Sequence, residues 1–386
     1  MIEKRELYKD LKKILKQLDI TPAMFKNAED KYMAIASYLK NNGLDIEISL
    51  QGSFAIGTGV KPYKEGKDCS YDVDAICLFP GTTDETSSRK IRKAILEILS
   101  DSEVYERKLD EYDKCFTLDY ASYGNYGFSI DLVPSAYATA SEVERIGTGV
   151  ENQYLGKVTS IAIKNDDKDE WYTSNPTGYK QWFDTINYPY SLHQREIRMT
   201  DIYNQHKELY SSVEEIPEYF NKSALQEVIQ ILKRTRDISY YKMRKENLKP
   251  ASVILTTFTA LVAKELPATT DTIDLLQEVI KRLKLHLNKE YRNSKEAIIK
   301  KGSKWEFYNP VNSTDNLVDQ WDENEEISKS FFEWITRLEK DINEIFSIGS
   351  NHINILGNMF GNDLADIVFE RKPVDTFKEG VKPYHD

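Results

Sequence analysis

The stretch Tyr71-Asp72-Val73-Asp74-Ala75-Ile76-Cys77-Leu78-Phe79 decides the reading of this chain. Apart from its two aspartates it is apolar or β-forming, and Pro80-Gly81 follows, so it reads as a strand that breaks there. Side chains alternate along a strand, which places Asp72 and Asp74 on one face and Val73, Ala75 and Cys77 on the other, where they can be buried. A second run, Phe128 to Val133, ends at Pro134 and carries a single acid, Asp131. If the two strands pair, three carboxylates converge.

Three carboxylates in a partly buried site repel one another and lose hydration, an arrangement that cations must compensate. Hard oxygen ligands select Mg²⁺ or Mn²⁺. Two such ions activate an attacking hydroxyl and neutralise a leaving pyrophosphate in an in-line displacement, so Asp72, Asp74 and Asp131 are the candidate catalytic and metal-binding residues. Upstream, Leu50-Gln51-Gly52-Ser53-Phe54-Ala55-Ile56-Gly57-Thr58 offers a place for a nucleoside triphosphate. Glycine lets the backbone approach a phosphate, and the serine hydroxyl and following amides donate to its oxygens at a helix start. Gln51, Gly52 and Ser53 are therefore candidate triphosphate contacts. A Gly-Ser pair alone is usually a turn, and an isolated Asp-x-Asp is usually a solvated loop or a calcium pair; the ordered set in strand context carries the inference.

The chain has 386 residues, long enough for two lobes with sizeable cores. Its hydrophobic fraction of 40% and charged fraction of 30% are those of an ordinary globular protein. A net charge of −11 argues for a diffusible substrate over a nucleic-acid polymer, whose stable binding draws on an extended basic surface. No apolar run is long enough to cross a membrane, and Met1-Ile2-Glu3-Lys4-Arg5-Glu6 precedes no signal-peptide core, so a cytoplasmic location is expected. Cys69, Cys77 and Cys115 form no Cys-x-x-Cys pair and no complete disulfide framework. The five dispersed histidines receive no catalytic role. Neither a dinucleotide-binding Gly-x-Gly-x-x-Gly nor a P-loop motif is present.

Leu7, Leu11, Ile14, Leu15 and Leu18 recur at helical spacing, and Thr21-Pro22 opens a second helix that Asn41-Asn42-Gly43 ends. Asp45 to Leu50 reads as a strand, Gly57 to Ser70 as a loop, and Arg89 to Leu99 as a helix. Cys115 to Tyr120 and Phe128 to Val133 flank a hairpin turn at Gly124-Asn125-Tyr126-Gly127. A further hairpin is expected from Val158 to Tyr172. Beyond Ser223 the pattern turns helical: Leu225, Val228, Ile229 and Leu232 share a face, followed by Ala251 to Lys264, Thr272 to Leu287 and Phe331 to Phe346. The expected fold class is α+β, with a mixed-sheet lobe over residues 1–220 packed against a mainly α-helical lobe over residues 221–386. A cleft between the lobes is the natural nucleotide site.

With these elements the chain resembles the polymerase-β-like nucleotidyltransferase superfamily and, more narrowly, the bacterial cGAS/DncV-like nucleotidyltransferases, or CD-NTases, of anti-phage (CBASS) signalling. The narrower resemblance rests on Ser174-Asn175-Pro176-Thr177-Gly178-Tyr179 with Trp182-Phe183, Leu232-Lys233-Arg234-Thr235-Arg236-Asp237, Lys249-Pro250-Ala251-Ser252-Val253-Ile254-Leu255-Thr256-Thr257, Asn309-Pro310-Val311-Asn312 and Met359-Phe360-Gly361. It implies a polymerase-β-like catalytic lobe, two Mg²⁺ or Mn²⁺ ions per site, and triphosphate contacts from Lys233 and Ser252. It implies NTP substrates, ATP among them, joined into a cyclic di- or trinucleotide, with a regulatory protein partner as one means of activation. Some relatives are attached to other proteins through their C-terminus, an expectation that Pro383-Tyr384-His385-Asp386, lacking a glycine, does not favour. Two alternatives stand beside this reading. One is transfer of a nucleotide to an RNA end, a protein or a small molecule; the other is a catalytically silent nucleotide-binding regulator, which three mutually repelling acids disfavour.

Overall fold

The computed structural model describes residues 3–123, 126–205, 222–285, 298–302, 304–347 and 351–370. The turn residues Gly124 and Asn125, His206, His286, His385 and the tail Pro383-Tyr384-His385-Asp386 lie outside them.

Two helices open the chain, α1 (Lys4–Leu18) and α2 (Pro22–Asn41). Pro22 stands at the first helical position of α2, and Thr21 accepts a hydrogen bond from the Met24 amide. Strand β1 (Glu47–Leu50) leads into the single turn α3 (Gly52–Ala55). The stretch read as a loop carries a small hairpin, β2 (Tyr63–Lys64) and β3 (Lys67–Asp68), before β4 (Tyr71–Thr82). Its tight turn places Glu65 and Gly66 at φ 52° and 82°. After α4 (Ser88–Ser100) come β5 (Leu109–Glu111), β6 (Phe116–Tyr123), β7 (Tyr126–Tyr137), α5 (Ala140–Ile146), β8 (Thr159–Ala162) and β9 (Trp171–Ser174).

These strands form a mixed seven-stranded sheet in the order β1-β4-β7-β6-β5, with β8 also on β7 and β9 beyond it. The β4–β7 pair is parallel; the other pairs are antiparallel. Both central strands outrun the prolines expected to end them. Pro134 falls between Leu132, which pairs with β6, and Ser135, which pairs with β8, so its missing N–H coincides with a change of partner. Pro80-Gly81 lies beyond Leu78, the last β4 residue paired with β1, in an irregular step before Thr82 rejoins β7; Gly81 takes φ 86°.

One face of the sheet is dry. Val73, Ala75 and Cys77 of β4, Ile130 and Leu132 of β7, and Phe116 and Leu118 of β6 are buried in one core with Ile35 and Leu39 of α2 and Ile91, Ile95 and Leu99 of α4. The opposite face carries the acids.

The second half of the chain is mainly helical: α6 (Pro176–Gln205), α7 (Ala224–Met243), α8 (Ser252–Lys264), α9 (Thr272–Leu285), α10 (Gln320–Glu323), α11 (Glu325–Ile345), α12 (His352–Phe360) and α13 (Asn362–Val368). Two small hairpins interrupt it, β10 (Ile299–Lys301) with β11 (Lys304–Glu306), and β12 (Tyr308–Asn309) with β13 (Asn312–Asn316). Its core joins Val228, Ile229 and Leu232 of α7 to Leu255 and Phe258 of α8, Val279 of α9 and Phe331 and Trp334 of α11. Each fully buried side chain of this kind is worth about 1.5–3 kcal/mol.

That second core does not begin at residue 221. Leu7, Leu11, Ile14 and Leu18 of α1, and Trp182, Phe183 and Ile186 of α6, are part of it. A single cut in the sequence therefore separates helices that share one hydrophobic interior: the apolar stripe of α1 is buried on the helical lobe, not on the sheet. Among the described residues no helix is long and apolar enough to cross a membrane.

Candidate active site

The parallel register sets Asp74 opposite Asp131 and Asp72 opposite Ser129. The antiparallel register on the other side of β7 sets Asp131 opposite Thr117 and Ser129 opposite Asp119. Residues directly opposite on paired strands point to the same side. One patch of the sheet thus holds two rows, Asp74-Asp131-Thr117 and Asp72-Ser129-Asp119. Within it Thr117 Oγ1 donates to Asp131 Oδ1 at 2.6 Å and Ser129 Oγ donates to Asp72 Oδ1 at 2.9 Å.

The crowding has an electrostatic consequence. Burial, and then the neighbouring charges of Asp131 and Asp72, raise the Asp74 carboxyl to about 7, against the pull of Lys233. Burial also raises Asp131, with the Thr117 hydroxyl opposing it. A set of hard carboxylate oxygens held together against mutual repulsion fits Mg²⁺ or Mn²⁺. Among the described residues no three acidic, histidine or cysteine side chains close into a ready-made ion cage. Mg²⁺ ordinarily takes one or two carboxylates and completes its shell with water and substrate phosphates, so the donor set still fits an ion carried by a nucleotide.

The Gly-Ser turn lies against this patch. The Gln51 amide donates to the Asp74 carbonyl at 2.9 Å. Gly52 has φ 64°, and a Cβ there would run into the Asp74 carboxylate, so both the backbone conformation and the close approach call for glycine. From Ser53 the chain folds back, with the Thr58 amide donating to the Ser53 carbonyl at 2.9 Å.

Helix α7 clamps the far side of that turn with one polar stripe. Gln226 Nε2 donates to the Ile56 carbonyl at 2.9 Å, and Gln230 Nε2 to the Gly59 carbonyl at 2.7 Å. Lys233 Nζ donates to the Thr58 carbonyl and hydroxyl, each at 3.1 Å. Arg234 donates to the Lys61 carbonyl at 3.3 Å, and Asp237 accepts from the Tyr63 amide at 3.4 Å. These positions recur at helical spacing along one side of α7. Lys233 is buried, and loss of hydration lowers its ammonium to about 7, with Arg236 adding repulsion and Asp237 and Asp74 opposing it. Ser252, the first residue of α8, accepts from Arg236 at 3.0 Å.

Between the two lobes opens a cleft of about 1010 Å³, and Gln51, Gly52, Ser53, Asp72, Asp74, Asp131, Lys233 and Ser252 all line it. The structure thus brings together every site residue singled out in the sequence. The cleft is also lined by the cations Lys64, Lys157 and Lys180, which the sequence reading does not single out, and by Arg236 and Lys249 of the segments that carry the family resemblance. Thr117 and Ser129 had also been missed, although the alternation that pairs Asp72 with Asp74 puts Ser129 on the face of Asp131. Tyr179 lines the cleft and shares a hydrogen bond of 2.9 Å with Thr257; Trp182 is buried in the helical core. The segments around Asn175 and Asn312 form the seam itself: Asn175 Nδ2 donates to the Val311 carbonyl and Asn312 Nδ2 to the Thr173 carbonyl.

Residues 46–134 match the family model described as cyclic GMP-AMP synthase DncV-like, nucleotidyltransferase domain. Over 370 residues the chain is 28% identical to a c-di-GMP synthase of Roseivirga ehrenbergii, spanning 93% of this chain and 85% of that protein. The solved structure of the Bradyrhizobium diazoefficiens CD-NTase CdnG in complex with GTP superposes with a TM-score of 0.66 at 17% identity, over 94% of this chain and 97% of that one. That of CdnC from E. coli MS115-1 with ATP gives 0.59 at 10% identity, over 92% and 97%. At these identities the two structures establish a shared fold.

Proposed function

We propose that this chain, which belongs to the DncV-like nucleotidyltransferases of the CD-NTase type, joins ribonucleoside triphosphates into a cyclic di- or trinucleotide messenger, releasing pyrophosphate at each bond. The observation that carries the reading is the in-register convergence of Asp72, Asp74 and Asp131 on a cleft whose opposite wall presents Lys233 and Ser252.

Asp72, Asp74 and Asp131 would hold two Mg²⁺ or Mn²⁺ ions, which when bound lower the pKa of an attacking ribose hydroxyl and neutralise the departing pyrophosphate. Asp72 and Asp74, adjacent on one strand face, would serve as ligands to both ions, and Asp131 would complete the donor set of the one that activates the attacking hydroxyl. Gln51, Gly52 and Ser53 would approach the donor triphosphate from the sheet lobe, while Lys233 and Ser252 meet its outer phosphates from the helical lobe. In this arrangement residues 1–220 supply the carboxylates and residues 221–386 the facing cation.

A cyclising enzyme must also retain its linear intermediate, turn it, and present the free hydroxyl to the same carboxylates while water is excluded. A cleft of about 1010 Å³ exceeds what one drug-sized ligand requires and has room for two nucleotides. The name of the Roseivirga relative makes guanine nucleotides the first substrates to try, and ATP belongs in the same panel. CBASS signalling in the cytoplasm, with activation by a protein partner, is the cellular setting that suits such an enzyme; no nucleic-acid polymer or membrane is required.

Purified protein incubated with Mg²⁺ or Mn²⁺ and labelled NTP mixtures should give a compact, phosphatase-resistant product without any added acceptor. Label appearing only on added RNA or protein, under activating conditions, would establish transfer to another molecule instead.

A further inference from the structure

The three acids of the cleft do not stand alone on their sheet face: two of them receive a hydroxyl from a neighbouring strand. Thr117 of β6 donates to Asp131 at 2.6 Å, and Ser129 of β7 donates to Asp72 at 2.9 Å. In both cases donor and acceptor are direct cross-strand partners, Thr117 opposite Asp131 and Ser129 opposite Asp72. The backbone ladder therefore fixes the separation, and rigid strand positions hold the hydroxyls. Thr117 is β-branched, which restricts its χ1 and aims its hydroxyl further.

We propose that Thr117 and Ser129 are positioning residues of the nucleotidyl-transfer site, each holding one oxygen of a carboxylate so that the other is presented to a divalent cation. The inference rests on the reading of Asp72, Asp74 and Asp131 as metal ligands. Like-charged carboxylates this close rotate apart when nothing holds them; a neutral donor on each outer acid opposes that rotation without bringing in a positive charge that would compete with the ion. Hydrogen bonds to ligating carboxylates commonly change metal affinity about 10- to 100-fold. Asp74 needs no such donor, because Gly52 packs directly against its carboxylate.

The test uses Mn²⁺ itself. Binding to the full chain saturated with a non-hydrolysable GTP analogue is followed by the Mn²⁺ EPR signal, with the analogue alone as the blank, alongside the Mn²⁺ concentration for half-maximal pyrophosphate release and the melting temperature. Thr117→Val and Ser129→Ala are each expected to raise the Mn²⁺ dissociation constant about 10-fold or more. The half-activating concentration should follow, while Thr117→Ser and Ser129→Thr, which keep the hydroxyl, stay near wild type. Asp74→Asn separates the two levels of the argument. If Asp74→Asn abolishes Mn²⁺ binding but Thr117→Val and Ser129→Ala bind within twofold of wild type, the positioning role is overturned and the metal reading stands. If wild type binds no Mn²⁺, or Asp74→Asn leaves binding unchanged, both fall. A melting temperature lowered equally by Thr117→Val and Thr117→Ser, with unchanged Mn²⁺ affinity, would make the contact purely structural.

Discussion

Lys233 on α7 and Thr58, in the loop after the Gly52-Ser53 turn, are joined twice: the ammonium donates to both the carbonyl and the hydroxyl of Thr58, at 3.1 Å each. The contact ties the helical lobe to the turn that would receive the triphosphate, and it holds a buried cation at the cleft wall.

Substituting Lys233 by Met should weaken NTP binding about 10- to 100-fold, since a contact to a charged group contributes roughly 1.5–3 kcal/mol. Ser252→Ala should cost less. Burial holds Lys233 down at about 7, so above that pH the free protein favours the neutral amine, and a bound triphosphate restores the charge. Wild-type NTP binding at pH 8 should therefore take up a proton that Lys233→Met does not. Calorimetry in two buffers of different ionisation enthalpy reads the difference, and equal proton counts would remove Lys233 from the phosphate site.

Asp74→Asn should trade activity for stability. Folding raises this carboxyl from 3.8 to about 7, so its stabilising contribution is fully present below pH 3.8 and is lost as the pH rises to about 7. At pH 8 in EDTA the neutral Asn should stabilise the fold by at least about 1 kcal/mol. Pyrophosphate release should fall about 10²-fold or more, and Mg²⁺ with NTP should raise the melting temperature of wild type more than that of the variant. A variant that melts lower than wild type in EDTA would contradict the repulsion argument.

Gly52→Ala and Gly149→Ala form a matched pair. Both glycines have positive φ, 64° and 76°, so each alanine carries a left-handed backbone penalty of about 1–2 kcal/mol. Only at Gly52 does the new Cβ meet the Asp74 carboxylate; at Gly149 nothing lies within 4 Å. Comparable melting temperatures with activity lost in Gly52→Ala alone are expected. Equal activities would show that the Gly52–Asp74 approach has no role in turnover.

Arg234 should be a stability residue. It is 1% exposed, pairs with Asp68 at 2.7 Å, and donates to the Phe360 carbonyl at 2.9 Å, joining the β2–β3 hairpin, α7 and the α12–α13 junction. Arg234→Met should destabilise by about 3–5 kcal/mol in denaturant titrations. Arg234→Lys should recover little, because an ammonium does not reproduce the fork of contacts.

The local pattern of the chain already determined the strands β1, β4, β6, β7, β8 and β9, most of its helices and the shared face of Asp72 and Asp74, but not the short strands β2, β3, β5 and β10 to β13. Alternation alone put Asp72 and Asp74 on one face, and the apolar Val73, Ala75 and Cys77 on the other face called for its burial. Helical spacing found α1, α2 and α4, because a periodic apolar stripe is a property of consecutive residues. The prolines misled for the opposite reason. Whether a missing N–H ends a strand depends on which neighbour pairs there, and Pro134 falls where β6 gives way to β8.

Tertiary structure alone decided the rest. Nothing in the order of residues says that β4 and β7 pair in parallel with Asp74 opposite Asp131, since a one-residue slip would turn the entire acid face over without altering either strand's own pattern. The stripe Gln226, Gln230, Lys233, Arg234 and Asp237 reads in isolation as the solvated side of an amphipathic helix. In the fold it is buried, because the loop at residues 56–63 brings carbonyls, a hydroxyl and an amide to meet it. The sequence carries each donor and acceptor, but only the docking of two lobes makes them partners and encloses the cleft between them.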